Sequence, residues 1–146
     1  RRWRVRLAKR PVDPEDRLLF HKTSHRSLYD DARADFPDHD DVLLWNHDRE
    51  LTESTIANLV VELDGELVTP PVDCGLLPGV FRAELLDTGE IREQVVTIDE
   101  LSRAEQIFLV NSVRRWIEVD LEGLERDPEM KLRAPETVGI SRRTSP

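Results

Sequence analysis

The stretch Ile56-Ala57-Asn58-Leu59-Val60-Val61-Glu62-Leu63-Asp64-Gly65-Glu66-Leu67-Val68-Thr69-Pro70-Pro71 decides the fold class of this 146-residue chain. Residues 56–63 are mostly aliphatic and read as a strand. Asp64-Gly65 is a dipeptide favoured in two-residue hairpin turns, and residues 66–69 form the returning arm. Pro70-Pro71 ends that arm, because proline cannot donate to a ladder. The sheet is therefore at least partly antiparallel.

Outward from the hairpin, residues 42–45, 95–98 and 107–110 are short apolar runs that read as strands. Trp3, Val5 and Leu7 alternate with Arg2, Arg4 and Arg6, the period of a half-buried strand, expected at a sheet edge with its cationic face in water. Residues 27–34 suit a short helix, with Leu28 and Ala32 on one face. Pro78 near the start and Gly89 past the end mark a second helix. Asp99 is expected to cap a brief third one. Periodicity does not decide whether residues 113–121 are extended or helical. From Glu125 on, Pro128, Pro135, Gly139 and Pro146 punctuate a polar tail of loop or disorder. The expected fold is α+β, a mixed, largely antiparallel sheet or pseudobarrel with a few short helices.

Composition narrows the function. Net charge is −9, and one cysteine, Cys74, cannot form an internal disulfide, so a reducing cytoplasmic setting is expected. No apolar run approaches the ~20 residues of a membrane span. Six of the first ten residues are cationic, whereas residues 11–130 carry 11 basic and 29 acidic side chains. Such a body repels phosphate backbones, and no nucleic-acid partner is expected. The acidic run 35–41 (DFPDHDD) lacks the ligand spacing of a calcium loop, and no metal is expected. The chain begins at Arg1, with Met130 as its sole methionine, and is expected to be a piece of a longer polypeptide.

Four stretches could hold chemistry. Lys22 follows the apolar residues Leu18-Leu19-Phe20, where a pocketed amine could trap a carbonyl. Glu53, within Thr52-Glu53-Ser54-Thr55, could pair with a protonated ring nitrogen. The helix start at Val80 and Phe81, after Gly79, offers unpaired N–H groups to a phosphate, and Arg82 could meet a carboxylate. Ser112, after the strand 107–110, could complete a phosphate cradle. Singly, the lysine reads more readily as solvated, Glu53 and Ser112 as turn residues and the helix start as an ordinary N-terminus, while for Arg82 a surface salt bridge is as plausible. A carbonyl-trapping lysine, a ring-nitrogen carboxylate and a phosphate cradle together describe pyridoxal 5'-phosphate.

That conjunction resembles the class IV aminotransferase superfamily, the fold-type IV pyridoxal-phosphate enzymes. The resemblance is carried, in family order, by residues 20–23 with Arg26, Tyr29 and Asp30, then by 42–46, 51–59, 64–71, 75–82 and 108–113. Lys22-Thr23-x-x-Arg26 and Asn111-Ser112-Val113-Arg114 look most like aminodeoxychorismate lyase, in particular lyase domains fused behind aminodeoxychorismate synthase. Ser54, where family aminotransferases usually have glycine, and the offset of Tyr29 from Lys22 favour the lyase over an aminotransferase.

The resemblance implies that Lys22 would carry the cofactor covalently and serve as acid–base. Glu53 would hold the ring nitrogen protonated, with Asn58 ordering the pocket behind it. Val80, Phe81 and Ser112 would hold the phosphate, and Arg26, Thr55 and Arg82 would face the substrate. The reaction implied is conversion of 4-amino-4-deoxychorismate to 4-aminobenzoate and pyruvate, in folate biosynthesis, by a homodimer. Family enzymes also carry a smaller N-terminal domain, so residues 18–124 are expected to be the cofactor-bearing domain, after a strand and interdomain linker at 1–17 and before a tail at 125–146. The alternatives are a class IV aminotransferase acting on branched-chain or D-amino acids, and a non-catalytic structural domain.

Overall fold

A computed structural model of the chain describes residues 1–13 and 21–124, with residues 21–26 described as backbone only. Its elements are β1 (Trp3–Leu7), α1 (His21–Ala34), β2 (Asp41–Trp45), β3 (Leu51–Ser54), β4 (Asn58–Leu63), β5 (Glu66–Thr69), α2 (Val80–Thr88), β6 (Arg92–Glu93), α3 (Ile98–Leu101), β7 (Gln106–Asn111) and β8 (Arg115–Leu121), with a 3-10 turn at Val72–Cys74. The strands lie in the order β3-β2-β1-β8-β7-β4-β5-β6, and β3 also pairs with β4. That last pairing closes β1, β2, β3, β4, β7 and β8 into a ring, leaving β5 and β6 as a flap. The mixed sheet is thus barrel-like, with three short helices against it among the described residues.

Alternation along each strand fills the ring. Val5, Leu43, Leu59, Val61, Leu109, Ile117 and Val119 share one core, with Leu101 and Ala104 packed into it. The neighbours pointing the other way meet helices. Val60 and Val110 pack with Phe81 and Leu85 of α2, while Val42 and Leu44 pack with Leu28, Tyr29 and Ala32 of α1.

The hairpin forms as its sequence dictates. Asp64 and Gly65 take φ of 52° and 81°, the left-handed pair that the tight turn needs. Helix α2 runs from Gly79 as N-cap to Gly89 as left-handed C-cap.

Four expectations are corrected. β1 is interior: it runs parallel to both β2 and β8. Its cations face water there because acids on neighbouring segments pair with them, Arg2 with Glu118 and Asp120, and Arg4 with Glu122. Residues 95–98 are not a strand. Thr97 makes a single bridge to Glu50 and caps α3 through a reciprocal box with Glu100, so Thr97 and not Asp99 is the cap. Residues 51–54 form their own strand ahead of β4, and 113–121 resolves as β8. Helix α1 takes in residues 21–26 ahead of the expected 27–34, so Lys22 lies on it. Leu18-Leu19-Phe20 and the tail 125–146 lie outside the described residues.

Candidate functional site

The seam where β3 meets β4 gathers most of the expected residues. Ser54 shapes the turn: its Oγ accepts from Ile56 N at 3.2 Å and Ala57 N at 2.9 Å, and donates to Ala57 O at 3.1 Å. The turn sets Glu53 opposite Asn58 in the ladder. Both are buried, Glu53 5 % and Asn58 4 % exposed.

Both also reach the segment ahead of α2. Asn58 Nδ2 donates to Leu77 O at 2.9 Å, and Gly79 N donates to Asn58 Oδ1 at 2.9 Å. Leu77 N in turn donates to Glu53 Oε1 at 3.3 Å. One amide therefore pins the entry to the helix at both ends. Any Cβ on Gly79 would sit 2.7 Å from Asn58 Oδ1, so only glycine fits the close approach. Gly79 has no side chain with which to cap the helix, and helical geometry leaves the N–H groups of Val80 and Phe81 without intrahelical acceptors. These donors stand beside Glu53 and Asn58, at the positive end of the helix dipole.

The β7–β8 turn lies against the same seam, since Asn111 Nδ2 donates to Ile56 O at 3.3 Å. Ser112 follows Asn111, exposed, in that turn. Glu53, Asn58, Val80, Phe81 and Ser112, spread over sixty residues of sequence, are thereby brought to one end of the ring.

Thr55 and Arg82 are engaged elsewhere. Thr55 Oγ1 donates to Asp41 Oδ1 at 2.6 Å and accepts from Arg33 Nη1 at 3.3 Å. Asp41 Oδ1 also takes the N–H groups of Val42 at 2.8 Å and Thr55 at 3.2 Å, fastening the site turn to the start of β2. Arg82, 4 % exposed, bonds Pro70 O at 3.1 Å and Glu93 at 2.6 Å. Its guanidinium braces α2 to the β5–β6 edge, and the salt-bridge reading fits it better than contact with a substrate carboxylate. Backbone places Lys22 and Arg26 on α1; their side chains lie outside the described residues.

Tyr29, which the sequence offered only as part of the resemblance and for its offset from Lys22, joins the site. Tyr29 Oη donates to Glu53 Oε2 at 2.9 Å. Its signal was its spacing: it follows Lys22 by seven positions, two turns of one helix. Burial, then the hydrogen bond to Glu50, pushes the Cys74 thiol up to about 12, which keeps it protonated and unsuited to act as a nucleophile. Among the described residues no three His, Cys, Asp or Glu side chains group to hold a metal, and no helix is long and apolar enough to cross a membrane.

Residues 2–121 match the family model described as amino-transferase class IV. A Schizosaccharomyces pombe protein assigned as an aminodeoxychorismate lyase is 35 % identical over 117 residues, covering 75 % of this chain and 51 % of that protein. A crystal structure from Mesorhizobium loti of a protein assigned as an amino-acid aminotransferase is 45 % identical with a TM-score of 0.75, over 83 % of this chain and 60 % of that one. A branched-chain aminotransferase from Thermobaculum terrenum, solved in its PLP form, shares the fold at a TM-score of 0.70 and 18 % identity, over 99 % and 54 % of the two chains. The chain spans about half the length of the S. pombe relative. With the family model matched over residues 2–121, which hold the whole ring of strands, the chain belongs to the class IV aminotransferase family.

Proposed function

We propose that the chain is the cofactor-bearing domain of a pyridoxal-phosphate-dependent aminodeoxychorismate lyase, which converts 4-amino-4-deoxychorismate to 4-aminobenzoate and pyruvate. The observation that carries this reading is the convergence of buried Glu53 with the open N-terminus of α2 across the Asn58 clamp. The donor set suits the cofactor: backbone N–H groups for a phosphate, a buried carboxylate for a ring N–H, and a cradle too tight for any residue but glycine at 79.

Pyridoxal phosphate, when bound, supplies an electron sink for the bond broken next to the substrate amine. The chain's residues would do the rest. Lys22 would anchor the aldehyde and move the proton. Glu53 would hold a proton at the ring nitrogen. The N–H groups of Val80 and Phe81, with the Ser112 hydroxyl, would hold the phosphate without a buried cation. Asn58 would fix the helix entry so that these donors need not reorganise on binding. Arg26 would face the substrate.

The lyase reading is favoured by the S. pombe relative, whose match covers 75 % of this chain, and by Ser54 and the Lys22-Thr23-x-x-Arg26 context. The identity of 45 % to the M. loti structure favours a second reading, a class IV aminotransferase. We infer a cytoplasmic homodimer, joined to or working with aminodeoxychorismate synthase. The intact protein, supplied with aminodeoxychorismate, is expected to release 4-aminobenzoate. Absence of product from cofactor-loaded protein removes the lyase reading, and conversion to the pyridoxamine form on mixing with amino acids establishes the aminotransferase.

A further inference from the structure

We propose that Tyr29 is a positioning residue that acts through Glu53: its phenol keeps the carboxylate ionised and in one orientation, so that the shared proton rests on the ring nitrogen of the cofactor. The inference rests on the cofactor reading above.

The Tyr29 hydroxyl lies 2.9 Å from Glu53 Oε2, and the other oxygen receives Leu77 N at a longer 3.3 Å. Glu53 is 5 % exposed, so water does little to solvate its charge. A hydrogen bond to the charged form favours that form, and one from a hydroxyl to a carboxylate is of the stronger, charge-assisted kind. A phenol does this without adding a positive charge, which would compete with a protonated ring for the same carboxylate.

The donor is also held still. Tyr29 packs with Leu28, Ala32, Phe36 and Trp45 over Ala8, Val12, Val42 and Leu44. Without it the buried carboxylate loses the shorter of these two hydrogen bonds. The proton between Glu53 and the ring then moves toward the carboxylate, leaving a neutral ring and a weaker electron sink. Helix α1 carries both Tyr29 and Lys22, so one rigid element would place the amine and set the state of the ring at once.

The test uses the intact protein loaded with pyridoxal 5'-phosphate labelled with 15N in the ring. The ring resonance of wild type is expected in the protonated range. Tyr29→Phe is expected to shift it toward the unprotonated position, and Tyr29→Phe with Glu53→Gln to give the same resonance as Glu53→Gln alone. Difluorotyrosine at position 29 keeps the shape and ionises at lower pH, so the resonance should gain a titration step at lower pH than in wild type. An unmoved resonance in both Tyr29 variants, or shifts that add to that of Glu53→Gln, overturns the proposal even if melting temperature falls. Wild-type protein that takes up no cofactor overturns the cofactor reading, and this inference with it.

Discussion

Substituting Gly79 by alanine should loosen the site through a single atom. Gly79 has φ −86° and ψ 165°, which any residue adopts, so the effect is steric and not conformational. The new Cβ lies 2.7 Å from Asn58 Oδ1. Moving that oxygen to ordinary contact requires it to recede by about 0.7 Å, while its amide is held at 2.9 Å at both ends. At least one of the two hydrogen bonds is lost, in a side chain only 4 % exposed. A lost bond with a buried group left unsatisfied costs about 1–3 kcal/mol. For a chain of this size that corresponds to a melting temperature lower by roughly 3–10 °C. Thermal unfolding of the intact protein gives the first measure, and titration with pyridoxal phosphate the second, since displaced helix donors should weaken phosphate binding. Asn58→Ala removes the obstructing oxygen, so Gly79→Ala should cost less in that background. Full additivity of the two substitutions, or a melting temperature for Gly79→Ala within about 1 °C of wild type, refutes the steric argument.

Three further outcomes are expected. Lys22→Ala should bind pyridoxal phosphate only reversibly, leave no covalent adduct by mass spectrometry after borohydride, and lose turnover, because anchor and proton carrier vanish together. Asp41→Ala orphans the N–H groups of Val42 and Thr55 and the Thr55 hydroxyl, and urea unfolding should show a loss of about 2–4 kcal/mol. The Glu122 carboxyl is held down at about 2, first by its hydrogen bonds from Arg4 and then from His39, and the Arg1 guanidinium holds Asp40 well below the usual carboxylate range. Groups so depressed stabilise the fold above their unfolded values and lose that contribution as pH falls. Urea midpoints should therefore be flat in this respect above about pH 5 and decline from there toward pH 2, less steeply in Arg4→Gln.

The local signals in the sequence were the ones that needed no distant partner. Asp64-Gly65 specified its turn and Pro78 and Gly89 bracketed α2, because turn and cap chemistry act within a few residues. The interior place of β1 was not legible, since its neighbours pair through Val42 and Asp120, far along the chain. β3 was hidden for a functional reason: Thr52, Glu53 and Ser54 are polar yet buried, so the period of a strand is masked where the site is built. Val95-Val96-Thr97-Ile98 has strand composition, but a capping box at Thr97 outcompeted a ladder with one available bridge. For the site, residue types at 53, 58, 80 and 81 were readable. The Asn58 clamp and the Tyr29 contact were not, because they join residues about twenty positions or more apart.

The central parallel strand has a consequence for how the molecule is made. Val5 aligns with Leu121, 116 residues downstream, and no hairpin can bring the two together early. At ribosomal speeds of 5–20 residues per second, the first strand waits roughly 6–23 s for its last neighbour to be synthesised. Through that interval an arginine-studded ribbon with Trp3, Val5 and Leu7 on its other side is available to whatever it meets. Cationic side chains on such a ribbon disfavour edge-to-edge pairing of two copies, and in the fold Arg2 meets its acids only at Glu118 and Asp120.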